Sequence, residues 1–227
     1  MSAMRCLLLC IGLLASGLAG AQQRLLLGGL EIADEAFYGY AGIVIPPAAR
    51  GRQRGLVQRY WLDHLGYAYD GGPGRVEARA WGAEAALGYT GATASGWGTV
   101  SLGLRLTDTT LAPDDPGAGA RGSQFAGHLQ LEGEREWVPG WRLGAIASVT
   151  TRRDEYWLRL RSMHRTGSAW SPGVEFVAGG NSETRSRAIG LVLAFRPAGR
   201  SWSVVLKGGA RRQDGDAAPY AGIELAR

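Results

Sequence analysis

The sequence lacks several usual routes to a stable fold. Its two cysteines, Cys6 and Cys10, both fall within the first ten residues. Disulfide staples and thiolate metal sites are therefore excluded from the rest of the chain. Beyond the N-terminal segment no run of 18 or more apolar residues occurs, so no stretch reads as a transmembrane helix. Lysine is almost missing: Lys207 is the only one among 25 basic residues, the others being arginine. Histidine occurs three times, as His64, His128 and His164, with no H-E-x-x-H pattern and no G-x-S-x-G nucleophile signature.

What is abundant points elsewhere. The 227 residues include 36 glycines, 8 tryptophans and 8 tyrosines. Glycine costs about 1 kcal/mol relative to alanine inside a helix, which argues against a helical bundle. The aromatic content argues against disorder. Arginine presents a planar fork that pairs with carboxylates or phosphates, so its excess suggests paired networks. A formal net charge of +5 spread along the chain gives no basic patch of the kind nucleic acid requires.

The N-terminus reads as a secretory leader. Arg5 supplies the positive start, Cys6 to Leu14 a short apolar run, and Ala19-Gly20-Ala21 a small-residue cleavage site before Gln22. The expected division is a signal peptide over 1–21 and one domain over 22–227.

The remainder alternates with period two between turn signals. Ile189, Leu191, Leu193 and Phe195 share one parity, while Ala188, Gly190 and Ala194 occupy the other. Val100, Leu102, Leu104 and Leu106 alternate with Thr99, Ser101, Gly103, Arg105 and Thr107. Turn signals place strands near 24–33, 36–46, 54–69, 74–91, 95–108, 121–137, 140–152, 155–165, 169–180, 184–197, 200–212 and 217–226. Two classes of connection alternate. One is mostly tight, as in Val138-Pro139-Gly140. The other collects acids, as in Asp34-Glu35, Asp154-Glu155 and Asp214-Gly215-Asp216, with the longest loop at Asp108–Ser123. Alternating loop classes on an even strand count predict an all-β, closed, antiparallel up-and-down outer-membrane barrel of about 12 (10–12) strands. In lipid every backbone polar group needs an internal partner, so such a sheet must close. Trp97, Trp137, Trp141, Trp170, Trp202 and Tyr220 fall near segment ends, where interfacial girdles are expected.

Two groups of residues stand out chemically. Glu132, Glu134 and Glu136 share a parity, and three acids in a row must face water or arginine. Arg105, Arg142, Arg159, Arg161 and Arg165 are the expected partners, either as a charged channel lining or as an ion-pair ladder that plugs the barrel. In the longest loop Asp108, Asp114 and Asp115, with Pro113 and Pro116 around the paired aspartates, read as a cation or sugar site or as a stiffened solvated turn. The scattered histidines read as ordinary polar positions. No cofactor, metal site or catalytic residue is expected.

Several segments resemble a known family in order along the chain. The run Gln58-Arg59-Tyr60-Trp61-Leu62-Asp63-His64-Leu65-Gly66-Tyr67-Ala68-Tyr69-Asp70, followed by Glu84-Ala85-Ala86-Leu87-Gly88-Tyr89, resembles the second conserved block of the BcsS proteins of bacterial cellulose biosynthesis. Pro113-Asp114-Asp115-Pro116-Gly117 with Arg121-Gly122, then Tyr156-Trp157-Leu158-Arg159 and Ser171-Pro172-Gly173-Val174-Glu175, continue the likeness over roughly 36–197. The resemblance implies a non-catalytic outer-membrane barrel that serves cellulose or similar exopolysaccharide production. Its implied partners are outer-membrane lipid and the cellulose synthase or export machinery or the glucan itself. A barrel enzyme acting on lipid or lipopolysaccharide and a small diffusion pore remain the competing expectations.

Overall fold

The computed structural model describes residues 24–47, 54–72, 74–182 and 184–227. The expected leader, most of the connection from Pro46 to Gln53, Pro73 and Glu183 lie outside the described residues. The strands are β1 (Leu25–Ala33), β2 (Ala36–Ile45), β3 (Arg54–Gly71), β4 (Gly74–Thr93), β5 (Gly96–Ala112) and β6 (Gly122–Val138). They continue as β7 (Trp141–Thr150), β8 (Tyr156–His164), β9 (Trp170–Gly180), β10 (Arg185–Phe195), β11 (Ser203–Gln213) and β12 (Asp216–Ala226). Each pairs antiparallel with its sequence neighbour. β1 also pairs with β12, from Leu27↔Ala226 to Ala33↔Tyr220, which closes the barrel.

The alternation works in the reverse sense from a water-soluble protein. On β10, Ile189 and Leu191 are 66% and 71% exposed on the outside, while Ala188 and Val192 on the other parity are buried toward the interior. Val100, Leu102, Leu104, Leu129 and Leu131 continue this outward apolar surface around the ring. A contiguous belt of this size would drive association in water and suits contact with hydrocarbon.

Aromatic residues border the belt. Trp141 packs on His164 at 4.8 Å between ring centroids, and Trp170 on Phe195 at 4.5 Å, with Trp202 beyond. At the other edge His64 stacks on Trp81 at 4.0 Å, with Phe37 alongside. Two of the expected girdle residues belong elsewhere. Tyr220 is buried in the interior under Arg211, and Trp97 shares the inward parity of Thr99 at the end of β5, in register with Glu134. Proximity to a strand end does not determine the face; parity does.

The acid-rich connections have a conformational reason. Glu35, Asp154 and Asp214 hold left-handed backbone with φ of 56°, 50° and 49°, and Asp tolerates that region better than most residues. At the opposite end Gly140, with φ 82°, closes the tight turn after Pro139.

The wall is uneven in height. β3 to β6 have 18, 20, 17 and 17 residues, whereas the other eight strands have 9 to 11. At the acid-loop end these four rise above their neighbours. The expected long loop is correspondingly shorter, because β5 continues through Asp108 to Ala112 and leaves only 113–121 as connection. On the inner face of this extension Val76, Ala78 and Leu111 form a small apolar core, with Tyr67, Tyr69 and Ala118 packed against it. Ala118 comes from the loop itself, so the loop folds inward over the barrel end.

Candidate functional site: the charged interior

Inward parity gathers charged residues from ten strands into three groups. The largest holds Glu31 on β1, Arg159 and Arg161 on β8, Glu175 on β9, Lys207 and Arg211 on β11, and Glu224 on β12. Arg161 donates from Nη1 and Nη2 to the two carboxylate oxygens of Glu224 at 2.9 and 2.8 Å, and from Nε to Glu175 at 2.9 Å. Arg159 reaches Glu224 at 3.2 Å. β8 and β12 are four positions apart around the ring, so these bonds cross the interior. Lys207 pairs with Glu31 at 2.6 Å and with Glu224 at 3.2 Å, and Arg211 also pairs with Glu31. The Glu175 side chain is 0% exposed.

Four cations against three carboxylates leave this group with one excess positive charge. Buried ions are tolerated here because every carboxylate of the group meets at least two cations. Isolated, each would carry a desolvation penalty of several kcal/mol.

The second group lies against the tall wall. Arg105 makes a two-pronged bond to Asp63, 2.8 Å on each arm. Glu84 lies 3.7 Å from Arg59 and 3.8 Å from Arg105. His128 Nδ1 is 2.5 Å from Glu84, and its Nε2 has no hydrogen-bond partner. Gly82 makes room for this arrangement: a methyl there would meet Asp63 Oδ1 at 2.5 Å and Arg105 Nη2 at 2.7 Å. Tyr38 and Tyr40, with rings 5.8 Å apart, stand between the two groups. Tyr40 stacks on Trp61 at 4.8 Å, and Arg59 covers Trp61 at 4.9 Å. Those aromatic faces are occupied by protein.

The third group is at the tight-turn end. Arg142 bonds Glu134 at 2.5 Å, and Arg165 bonds Glu136 at 3.1 Å. Glu136 also accepts from the Gly140 amide at 3.0 Å. Glu132 accepts from Gln130 and faces an open depression of about 550 Å³ shared with Arg54 and Thr99.

The expected network is thus divided rather than continuous. The glutamate row does face inward and does meet Arg142 and Arg165. Arg105, Arg159 and Arg161 face inward too but choose Asp63, Glu175 and Glu224. Those carboxylates, with Glu31, Glu84, Lys207, Arg211 and His128, were missed by sequence reasoning. The available signal was a single ionisable residue on the small-residue parity of an otherwise apolar strand, as Glu224 is among Ala218, Tyr220 and Gly222.

The loop motif is committed internally. Asp115 accepts from the Tyr69 hydroxyl at 3.1 Å and the Gly117 amide at 3.2 Å, while Asp114 pairs with Arg121 at 2.8 Å. Asp108 sits on the outward face of β5 and accepts from Ser123 at 2.7 Å, away from the other two. Pro113 opens the connection and Pro116 follows the aspartates. Among the described residues no three His, Cys, Asp or Glu side chains converge as a metal site would need. His64 and His164 lie in the outward aromatic rows, so His128 is the one histidine in the interior.

Solved structures share this architecture. The chain is similar to the KdgM porin, with 9% identity, a TM-score of 0.51, and coverage of 88% of this chain and 97% of that one. It is also similar to the translocator domain of the autotransporter NalP from Neisseria meningitidis, with 10% identity, a TM-score of 0.52, and coverage of 96% and 92%. At such identity the likeness concerns the fold, that of an outer-membrane β-barrel. No curated protein sequence matches the chain. Residues 25–227 match the family model described as cellulose biosynthesis protein BcsS, and the chain belongs to that family.

Proposed function

We propose that this protein is a non-catalytic barrel placed in the outer membrane, where it serves cellulose production as a plugged accessory rather than as a conduit. The observation that carries the reading is the bond from Arg161 to Glu224 across the interior, reinforced by Arg159 and Lys207 on the same carboxylate. A glucan passing at this level would have to displace a multiply paired, nearly dry cluster, which costs far more than hydrogen bonds to sugar hydroxyls return. Any contact with the polymer or with synthase components then falls to the two ends of the barrel rather than to its bore.

Deletion and complementation in the native bacterium test this reading. Removing the gene lowers the glucose released by cellulase from the washed cell surface. A chain with His64, His128 and His164 all changed to Ala restores it, provided heat-modifiable gel mobility shows a folded barrel. A folded triple variant that fails to restore cellulose contradicts the non-catalytic reading. Cell fractionation that leaves the chain outside the outer-membrane fraction contradicts the placement.

A further inference from the structure

The outer surface of β10 to β12 carries an arrangement that neither the interior nor the loops account for. Arg187 and Arg212 are directly opposite one another in the β10–β11 register, both exposed on the outward face. Like charges so placed repel, and sheets generally avoid such pairs. Two other arginines near the same rim are matched to acids, Arg75 to Glu35 and Arg121 to Asp114. Among the described residues neither Arg187 nor Arg212 has a carboxylate partner. Arg212 uses only its Nε, on the Gly215 carbonyl at 3.0 Å. Their register neighbours on either side are Ala178 and Ala217.

Below the pair the wall becomes smooth. The next outward positions on β11 and β12 are Ala210 and Gly208, then Pro219 and Ala221. Bulkier residues border them: Ile189 and Leu191 on β10, and Ile32 on β1. Leu206 and Ile223 close the lower end. This makes a shallow apolar trough two strands wide, about 14 Å along the strand from Arg212 to Gly208. Its upper end, at the edge of the belt, holds two guanidinium forks with no carboxylate partner among the described residues.

We infer that this trough binds a phosphorylated, acylated glycolipid of the lipid A type, with Arg187 and Arg212 on a headgroup phosphate and an acyl chain along Ala210, Gly208 and Ala221. Two forks side by side suit the oxygens of one phosphate, and an anion between them converts the repulsion into attraction. The small side chains let a hydrocarbon chain lie against backbone, where it gains dispersion contacts along its length. The inference rests on the outer-membrane placement with the acid loops outward. Its test uses purified protein, so its failure is distinguishable from a failure of fractionation.

Native mass spectrometry of the full chain in non-ionic detergent, titrated with bis-phosphorylated lipid A, reads the binding. One lipid A is retained per barrel. R187Q/R212Q weakens retention by about tenfold or more, the loss expected when a charge-assisted contact of about 1.4 kcal/mol is removed. A221L, which fills the trough, weakens it while R75Q/R79Q does not. Heat-modifiable mobility confirms that each variant is folded. Equal retention of dephosphorylated lipid A overturns the inference, as does an equal loss in R75Q/R79Q. Inorganic phosphate bound as tightly as lipid A, with A221L without effect, overturns the lipid assignment.

Discussion

The two sides of this barrel solve the same problem differently. On the tall side, β3 to β6, charged residues pair with near neighbours in the sheet: Arg105 with Asp63 two strands away, Glu84 with His128 likewise. That side also carries its own apolar core above the belt and a loop folded onto it. On the short side the decisive bonds cross the interior, and Glu224 accepts from arginines four strands away. Long strands with extensive ladders hold themselves up. Strands of 9 to 11 residues leave the β1–β12 seam to be supported from across the barrel. The same chemistry therefore plays a local role on one side and a closing role on the other.

Removing Glu224 breaks the comparison most severely. Glu224→Ala leaves Arg159, Arg161 and Lys207 crowded around a missing carboxylate, a loss expected to cost about 3–5 kcal/mol. Urea unfolding in lipid vesicles followed by tryptophan fluorescence measures it. In the same variant β1 and β12 exchange amide hydrogens faster than β4 and β5. Asp63→Ala comes next. Arg105 retains Glu84 nearby, so the expected loss is smaller, about 2 kcal/mol, with the seam unaffected. An Asp63→Ala loss as large as that of Glu224→Ala contradicts the difference between the two sides.

Leu111→Ala is of similar size but different in kind, because it barely moves the global transition. It trims the apolar core above the belt at a cost of about 2 kcal/mol. The effect is local: proteolysis within 113–121 accelerates while the unfolding midpoint in vesicles barely moves. Smallest is Asp114→Asn, which removes a half-exposed pair with Arg121 and shifts stability by less than about 1 kcal/mol.

Much of this organisation is legible in the sequence. All twelve strands fall within a few residues of their expected places, because period-two alternation and turn residues are local signals that each strand carries in itself. Inward parity is legible for the same reason, since Glu132, Glu134, Glu136, Arg105 and Arg142 share the parity of the small or polar residues on their strands, and Arg159 and Arg161 take the parity opposite Tyr156, Leu158 and Leu160. Partner choice is not. Arg161 meets Glu224 only because the sheet closes, and no local pattern encodes which residues closure brings together. The extension of β5 through Ala112 was hidden by Asp108, whose outward position beside Ser123 lies at the edge of the apolar belt, where polarity no longer signals a turn.

The central claim is that the interior is filled by paired charge, and electrical recording tests it most directly. Purified wild-type protein inserted into planar lipid bilayers stays electrically silent, while the same preparation shows heat-modifiable mobility and vesicle insertion. Stable ohmic steps from the wild-type chain, of the size an open porin gives, contradict the account.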